Sequence, residues 1–312
     1  MEELGHAAEE AARELGMEAR QVHTAEDESQ VDALLAIGSV WLYPSLVARP
    51  PVARRVLWHL EPLPRPGPEA GGMIHRRLPT GKLLDIARTA LPPLGRSATW
   101  QQTRERAANV REPLHNLAML RRDAHTFDRI VVDTQSRAEG ALRAGIDVAI
   151  VAFGYHPAYA GALAAPQIER DIDVLSLASV DRVARRQRVM TDIEAMLGRS
   201  GVALAQVERH TYGASRTQVL RRSKVVLDIH RVPGSHPLYR FILAAAAGAA
   251  MVSEPLVPGV HYVEAATSRL GEATLELLAD EPRRQQIVVA AQALLSGELD
   301  LRRTLPRALG SR

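Results

Sequence analysis

The chain has 312 residues, 46% of them hydrophobic, which is long enough for two cores of ordinary size and too apolar for a disordered chain. Its formal charge is +3 and 4% of its residues are aromatic, so the composition supplies neither a strong polyanion-binding field nor many stacking platforms for single-stranded nucleic acid. There is no cysteine, which excludes disulfides, thiolate metal sites and a cysteine nucleophile.

No apolar run approaches the ~18 residues of a membrane span. The opening MEELGHAAEEAARELG is acidic and amphipathic, unlike a signal peptide. A soluble cytoplasmic protein is expected, with no nucleic acid and no membrane span among its partners.

In chain order, Glu2–Leu15 reads as an amphipathic helix, Ala19–His23 as a short strand, Gln30–Ala36 as a helix and Ser39–Tyr43 as a strand. Arg54–His59 is a strand that runs into a proline-rich loop at 61–68. Leu83–Leu91 and Thr99–Arg122 read as helices, Arg129–Asp133 and Val148–Ala152 as strands. Phe153–Arg170 has no clear period and reads as a linker. A second series follows: strand Ile172–Ala178, helix Val183–Gly198, strand Val202–Val207, helix Ser215–Arg221, strand Val225–Ile229, helix Pro237–Ala247 and strand Ala249–Ser253. Helices at Leu270–Ala279, Pro282–Leu295 and Leu301–Leu309 close the chain.

Alternating strands and helices predict an α/β protein of two doubly wound, Rossmann-like domains. The expected division is 1–152, a linker at 153–170, a second domain at 171–297, and a helix at 298–312 placed to cross back to the first. A Rossmann-like domain normally opens on a strand, whereas this chain opens on a helix. Either the first domain lacks its first strand or a fuller start lies upstream.

Ligands of open α/β sheets settle beyond the carboxyl ends of the strands. In Lys224–Glu254 that crevice would be lined by His230, Arg231, Ser235 and His236, with Tyr239 and Arg240 in the next helix's first turn. A cation there opposes the helix dipole by roughly 0.3–1 kcal/mol unless an anion sits beside it. A phosphate ligand fits that pattern; a solvated arginine is the plainer alternative. After strand 172–178, Ser179 leads to Arg182, Arg185 and Arg186 on one helical face, which suits phosphate ligands or a basic solvent face. Tyr212 and Arg216 follow strand 202–207, where a Tyr-Gly turn would approach a base or ribose. In the first domain, His59 and Glu61 follow a strand and could form a general base with its orienting carboxylate, or a histidine satisfied by a backbone carbonyl. Tyr155-His156-Pro157 reads as structural. No GxxxxGK[ST], HExxH, GxSxG or full GxGxxG is present, and no histidine–carboxylate group has metal-ligand spacing.

With these segments assembled, the chain resembles GT-B glycosyltransferases, and among them the bacterial group related to CgeB-type, spore-maturation-like enzymes. The likeness runs over roughly residues 127 to 300, through FDRIVVDTQSRAEGALRAGI, VAFGYHP, RDIDVLSLAS, YGASRTQVLRRSKVVLDIHR, PLYRFILAAAAGAAMVSE and PGVHYVEA. It implies two Rossmann-like domains around a cleft, a nucleotide-diphosphate sugar as co-substrate held by the second domain, and transfer to an unidentified small-molecule, glycan or protein acceptor without a metal or other cofactor. By position it implies donor contacts at Ser179, Tyr212, Arg216, His230, Arg231, Tyr239 and Arg240. Related retaining enzymes place a glutamate where this chain has Leu243, and often an acidic residue where it has Ser235. A catalytically inert nucleotide-sugar binder that supports an active partner is the alternative, and an epimerase on the same fold is a third.

Overall fold

The computed structural model describes residues 2–21, 31–48, 53–64, 113–165, 168–177, 184–207, 211–230, 238–254 and 261–310. Two parallel sheets organise them. The first runs β1 (Ala33–Gly38), β2 (Arg54–His59), β3 (Arg129–Val132) and β4 (Ala149–Ile150), side by side in chain order. The second has the order β6 (Leu204–Gln206), β5 (Ile172–Ser176), β7 (Ser223–Asp228), β8 (Ala250–Ser253) and β9 (Val263–Glu264). Every strand pairing among the described residues is parallel.

Helices are numbered in the same way: α1 (Glu2–Glu14), α2 (Pro44–Val47), α3 (113–123), α4 (Gln135–Arg143), α5 (Pro157–Ala160), α6 (Ala184–Arg199), α7 (Gly213–Arg221), α8 (Leu238–Ala246), α9 (Leu270–Ala279), α10 (Glu281–Ser296) and α11 (Leu301–Leu309). Parallel strands need crossover helices on both faces, so their side chains are buried above and below. Accordingly Val225, Val226 and Leu227 of β7 are all fully buried.

The direction of winding decides where a ligand crevice can form. The four described strands of the first sheet progress one way, so no reversal lies between them. In the second sheet the chain moves outward from β5 to β6, then returns across β5 to β7. The helices after β5 and β7 therefore diverge, and the carboxyl ends of those two strands frame a topological switch point.

Two expectations near the N-terminus are corrected. Of the Gln30–Ala36 helix, the described residues 31–36 form none; Ala33–Gly38 is β1, in register with β2 from Ala33↔Arg54 to Gly38↔His59. Alanine and leucine favour helix locally, and pairing with a buried neighbour strand overrides them. Ser39–Tyr43 is not a strand but a 3-10 turn at Val40–Leu42, where the chain leaves β1 and Pro44 starts α2. The Tyr43 hydroxyl folds back to accept from the Ile37 amide at 3.1 Å. Of the Ala19–His23 strand, residues 19–21 form no strand; Leu83–Leu91 and most of Thr99–Arg122 lie outside the described residues, and 113–123 is helical.

The expected linker, Phe153–Arg170, carries core residues. Trp58 of β2 donates its indole N–H to the Val151 carbonyl at 3.0 Å and lies 4.9 Å, centroid to centroid, from Phe153. Phe153 meets Tyr159 edge-on at 6.0 Å, and Tyr159 stacks on Tyr239 of α8 at 5.9 Å. One apolar cluster thereby takes in β2 and β3 of the first sheet, α1, the connecting segment, and β5, β7 and α8 of the second. α1 lies against α5 and α11. α11 in turn reaches the first sheet, where Arg129 donates to the Arg307 carbonyl at 3.2 Å.

Candidate functional site

The switch point of the second sheet holds a dense polar cluster. β7 ends on Asp228, and His230 follows two residues later; β8 ends on Ser253, followed by Glu254. Asp228, His230 and Ser253 are fully buried, as is nearly all of Glu254. Arg185, in the first described turn of α6, meets Glu254 with both Nη atoms and also donates to the His230 carbonyl at 2.7 Å. Its neighbour Arg186 donates Nε–H to the Ile229 carbonyl at 2.9 Å. Arg240, in the first described turn of α8, donates to Asp228 and keeps 20% of its side chain exposed.

The carboxylate of Glu254 is fully engaged, because the Thr267 hydroxyl and the His230 amide, the latter at 2.7 Å, also donate to it. Burial pushes its pKa up, but those donors outweigh burial and hold it below the ordinary glutamate value. The His230 ring has Nε2 3.2 Å from Ser253 Oγ and 3.6 Å from Asp228 Oδ2. Burial lowers its pKa to about 4, against the opposing pull of Asp228 and Glu254, so the ring is neutral near pH 7. The arrangement thus sets two arginines, one on each side of the switch point, over a bed of two buried carboxylates. The dipole cost of a cation at the start of α8 is already met by Asp228.

A second group forms around Glu3 of α1. The Gly213 amide donates to Glu3 Oε1 at 2.6 Å, at the N-terminus of α7, where Gly213 itself has φ +56. Arg216 reaches Glu3 Oε2 at 3.0 Å and Oε1 at 3.4 Å, donates to the Tyr159 carbonyl at 3.0 Å and to the Tyr239 hydroxyl at 2.6 Å. Tyr239 donates to Glu3 Oε2 at 3.2 Å, and burial raises its pKa to about 12.

No family model and no curated protein matches the sequence. Solved structures do resemble the fold. The crystal structure of TarM superposes with a TM-score of 0.50 at 8% identity, over 63% of this chain and 46% of that one, so the chain spans about half of TarM's length. A structure described as trehalose-6-phosphate from E. coli bound with UDP-2-fluoro glucose superposes with a TM-score of 0.54 at 12% identity, over 90% of this chain and 73% of that one. The fold is GT-B.

Within the GT-B frame, the residues singled out from sequence separate into three places. Arg185, His230 and Arg240 meet at the switch point. Arg216 and Tyr239 meet Glu3 instead, and Tyr212, 60% exposed, is the residue preceding α7. Ser179, Arg231 and Ser235, like Arg182 and His236, lie outside the described residues.

The expectation that His59 faces a cleft is corrected. It ends β2 opposite Val132, its ring is fully buried, and neither ring nitrogen has a hydrogen-bond partner among the described residues. Burial, then the nearby Arg137 cation, lowers its pKa to about 3. So sealed and so weakly basic a ring is not a cleft-facing general base. Glu61 is half-buried in the bend that follows. His156 caps α5, accepting from the Ala158 amide at 3.2 Å.

Leu243 sits in the apolar cluster at 1% exposure, between Ile242 and Ala244, which are both fully buried. Asp228 and Glu254 were not singled out from sequence. Their signal is a carboxylate at or just past the carboxyl end of an apolar run, with an arginine early in a following helix. Among the described residues no group of three or more His, Asp and Glu side chains could hold a metal ion, and no helix is long and apolar enough to cross a membrane.

Proposed function

We propose that the protein is a glycosyltransferase that takes a sugar from a nucleotide-diphosphate donor bound at the switch point of the second sheet. The observation that carries this reading is the pair Arg185 and Arg240, which start the helices after β5 and β7 and flank the crevice where α/β sheets bind ligands. A diphosphate needs its charge matched as the glycosidic bond breaks. Arg240, with 20% of its side chain exposed, offers that match through a directed N–H donor, while the buried Arg185–Glu254 pair and Asp228 fix the walls of the crevice. The reading is therefore metal-independent and needs no resident cofactor. The UDP-sugar analogue carried by one structural neighbour supports the donor class, and the segments likened to CgeB-type enzymes support membership of that group. The acceptor is a small molecule, glycan or protein.

A second reading has an observation of its own. Leu243 stands in a dry core where retaining relatives carry a glutamate, which favours an inert GT-B protein that binds a nucleotide sugar for an active partner. Calorimetry with UDP and GDP, followed by assay of donor hydrolysis, tests both. Binding that weakens by about 1.5–3 kcal/mol in Arg240→Ala is expected of a lost charge-assisted hydrogen bond. Unchanged affinity would remove Arg240 from the site, and binding without turnover would favour the inert protein.

A further inference from the structure

We propose that Glu3 is a releasable latch that ties the N-terminal helix to the first turns of α7 and α8. Its carboxylate gathers the Gly213 amide, two N–H groups of Arg216 and the Tyr239 hydroxyl, all from residues more than 200 positions away. Elsewhere α1 buries mainly small side chains, Ala7, Ala8, Ala11 and Ala12, with Leu4 near its tip. Small side chains bury little apolar area, so the polar contacts matter at the tip. The two partners are unequally placed: the Glu3 side chain is 26% exposed, whereas that of Arg216 is 5% exposed. Solutes reach the carboxylate, and the arginine stays where Tyr159 and Tyr239 hold it.

The donors that hold Glu3 complement any compact oxyanion. A phosphate-class anion carries more charge than a carboxylate and accepts from an arginine fork and a helix N-terminus at once. Such an anion displaces Glu3 from Arg216, and the tip of α1 lifts from α8. Tyr239, which the latch holds, adjoins Arg240, which stands over the switch point. Opening the latch thus loosens the turn that positions Arg240. The latch stands whether or not the crevice binds a nucleotide.

Hydrogen exchange of the intact chain tests this, following the amides of residues 2–14 with inorganic pyrophosphate and with sodium chloride at matched ionic strength. Pyrophosphate should speed exchange in α1 about tenfold beyond the chloride control, the change expected when one charge-assisted contact is lost. Glu3→Gln, which keeps the shape and removes the charge, should exchange fast from the start and ignore pyrophosphate. Wild-type α1 indifferent to pyrophosphate, or a Glu3→Gln protein as protected as wild type, would overturn the latch. Arg240→Ala separates the two sites. It should retain the α1 response, and a response lost in that variant would place the anion in the crevice and sink the proposal.

Discussion

Arg185 and Glu254 face each other across the carboxyl edge of the second sheet, with side chains 11% and 4% exposed and both guanidinium Nη atoms on the carboxylate. A buried pair of this kind is costly to break because the survivor keeps its charge without water. Arg185→Ala should lower stability by about 3–5 kcal/mol in urea denaturation, while a double change, Arg185→Met with Glu254→Leu, should recover most of it. If the single variant is as stable as wild type, Glu254 has another counter-charge and the pair does not anchor the site.

Leu243 gives the second prediction. At 1% exposure within the apolar cluster, it offers a new carboxylate neither water nor a donor. Leu243→Glu should therefore cost several kcal/mol and melt markedly lower at pH 7, recovering partly as acid neutralises the group. Stability kept at pH 7, together with tighter binding of a nucleotide sugar than of the bare nucleotide, would instead show a pocket beside α8.

The third concerns acid. The native His59 and His230 rings have pKa values lowered to about 3 and about 4, below the unfolded value of 6.5. The unfolded chain therefore binds more protons, and stability rises with pH across that range. Both contributions are complete above about pH 6.5 and fade as pH falls toward the native values. Glu254, also held below its ordinary value, acts in the same direction. Melting temperature followed from pH 8 to pH 4 should fall steadily below about pH 6.5, less steeply in His59→Leu. An equal slope in that variant would mean that His59 is not the sealed neutral ring described above.

Chelation supplies the fourth. Because arginines rather than a metal face the proposed diphosphate, UDP affinity and any turnover should be unchanged in EDTA. Loss on chelation, restored by Mg²⁺ or Mn²⁺, would contradict metal independence.

The second sheet was legible because runs such as Val225–Leu227 are apolar throughout, the mark of strands covered on both faces. β1 was not, since ALLAIG is a good local helix and becomes a strand only beside β2. The same limit applied to the site. Arginines early in helices after strands pointed to Arg185 and Arg240, which the fold brings to one crevice. Arg216 and Tyr239 fitted the same pattern, yet their partner is Glu3, and no local spacing foretells a contact across more than 200 residues. His59 misled because a polar residue at a strand's carboxyl end usually meets solvent, and here it is sealed.

The N-terminal helix also imposes an order on biosynthesis. α1 rests against α11, which the ribosome finishes roughly 290 residues later, or about 15–60 s at ordinary elongation rates. Through that interval α1 lacks one of its two helical neighbours, and neither Arg216 nor Tyr239 exists for Glu3 during most of it. A nascent chain stalled before Leu301 therefore lacks one of the two helices that α1 rests against, and its α1 should be cut by protease faster than in the finished chain while β5 to β8 are already protected.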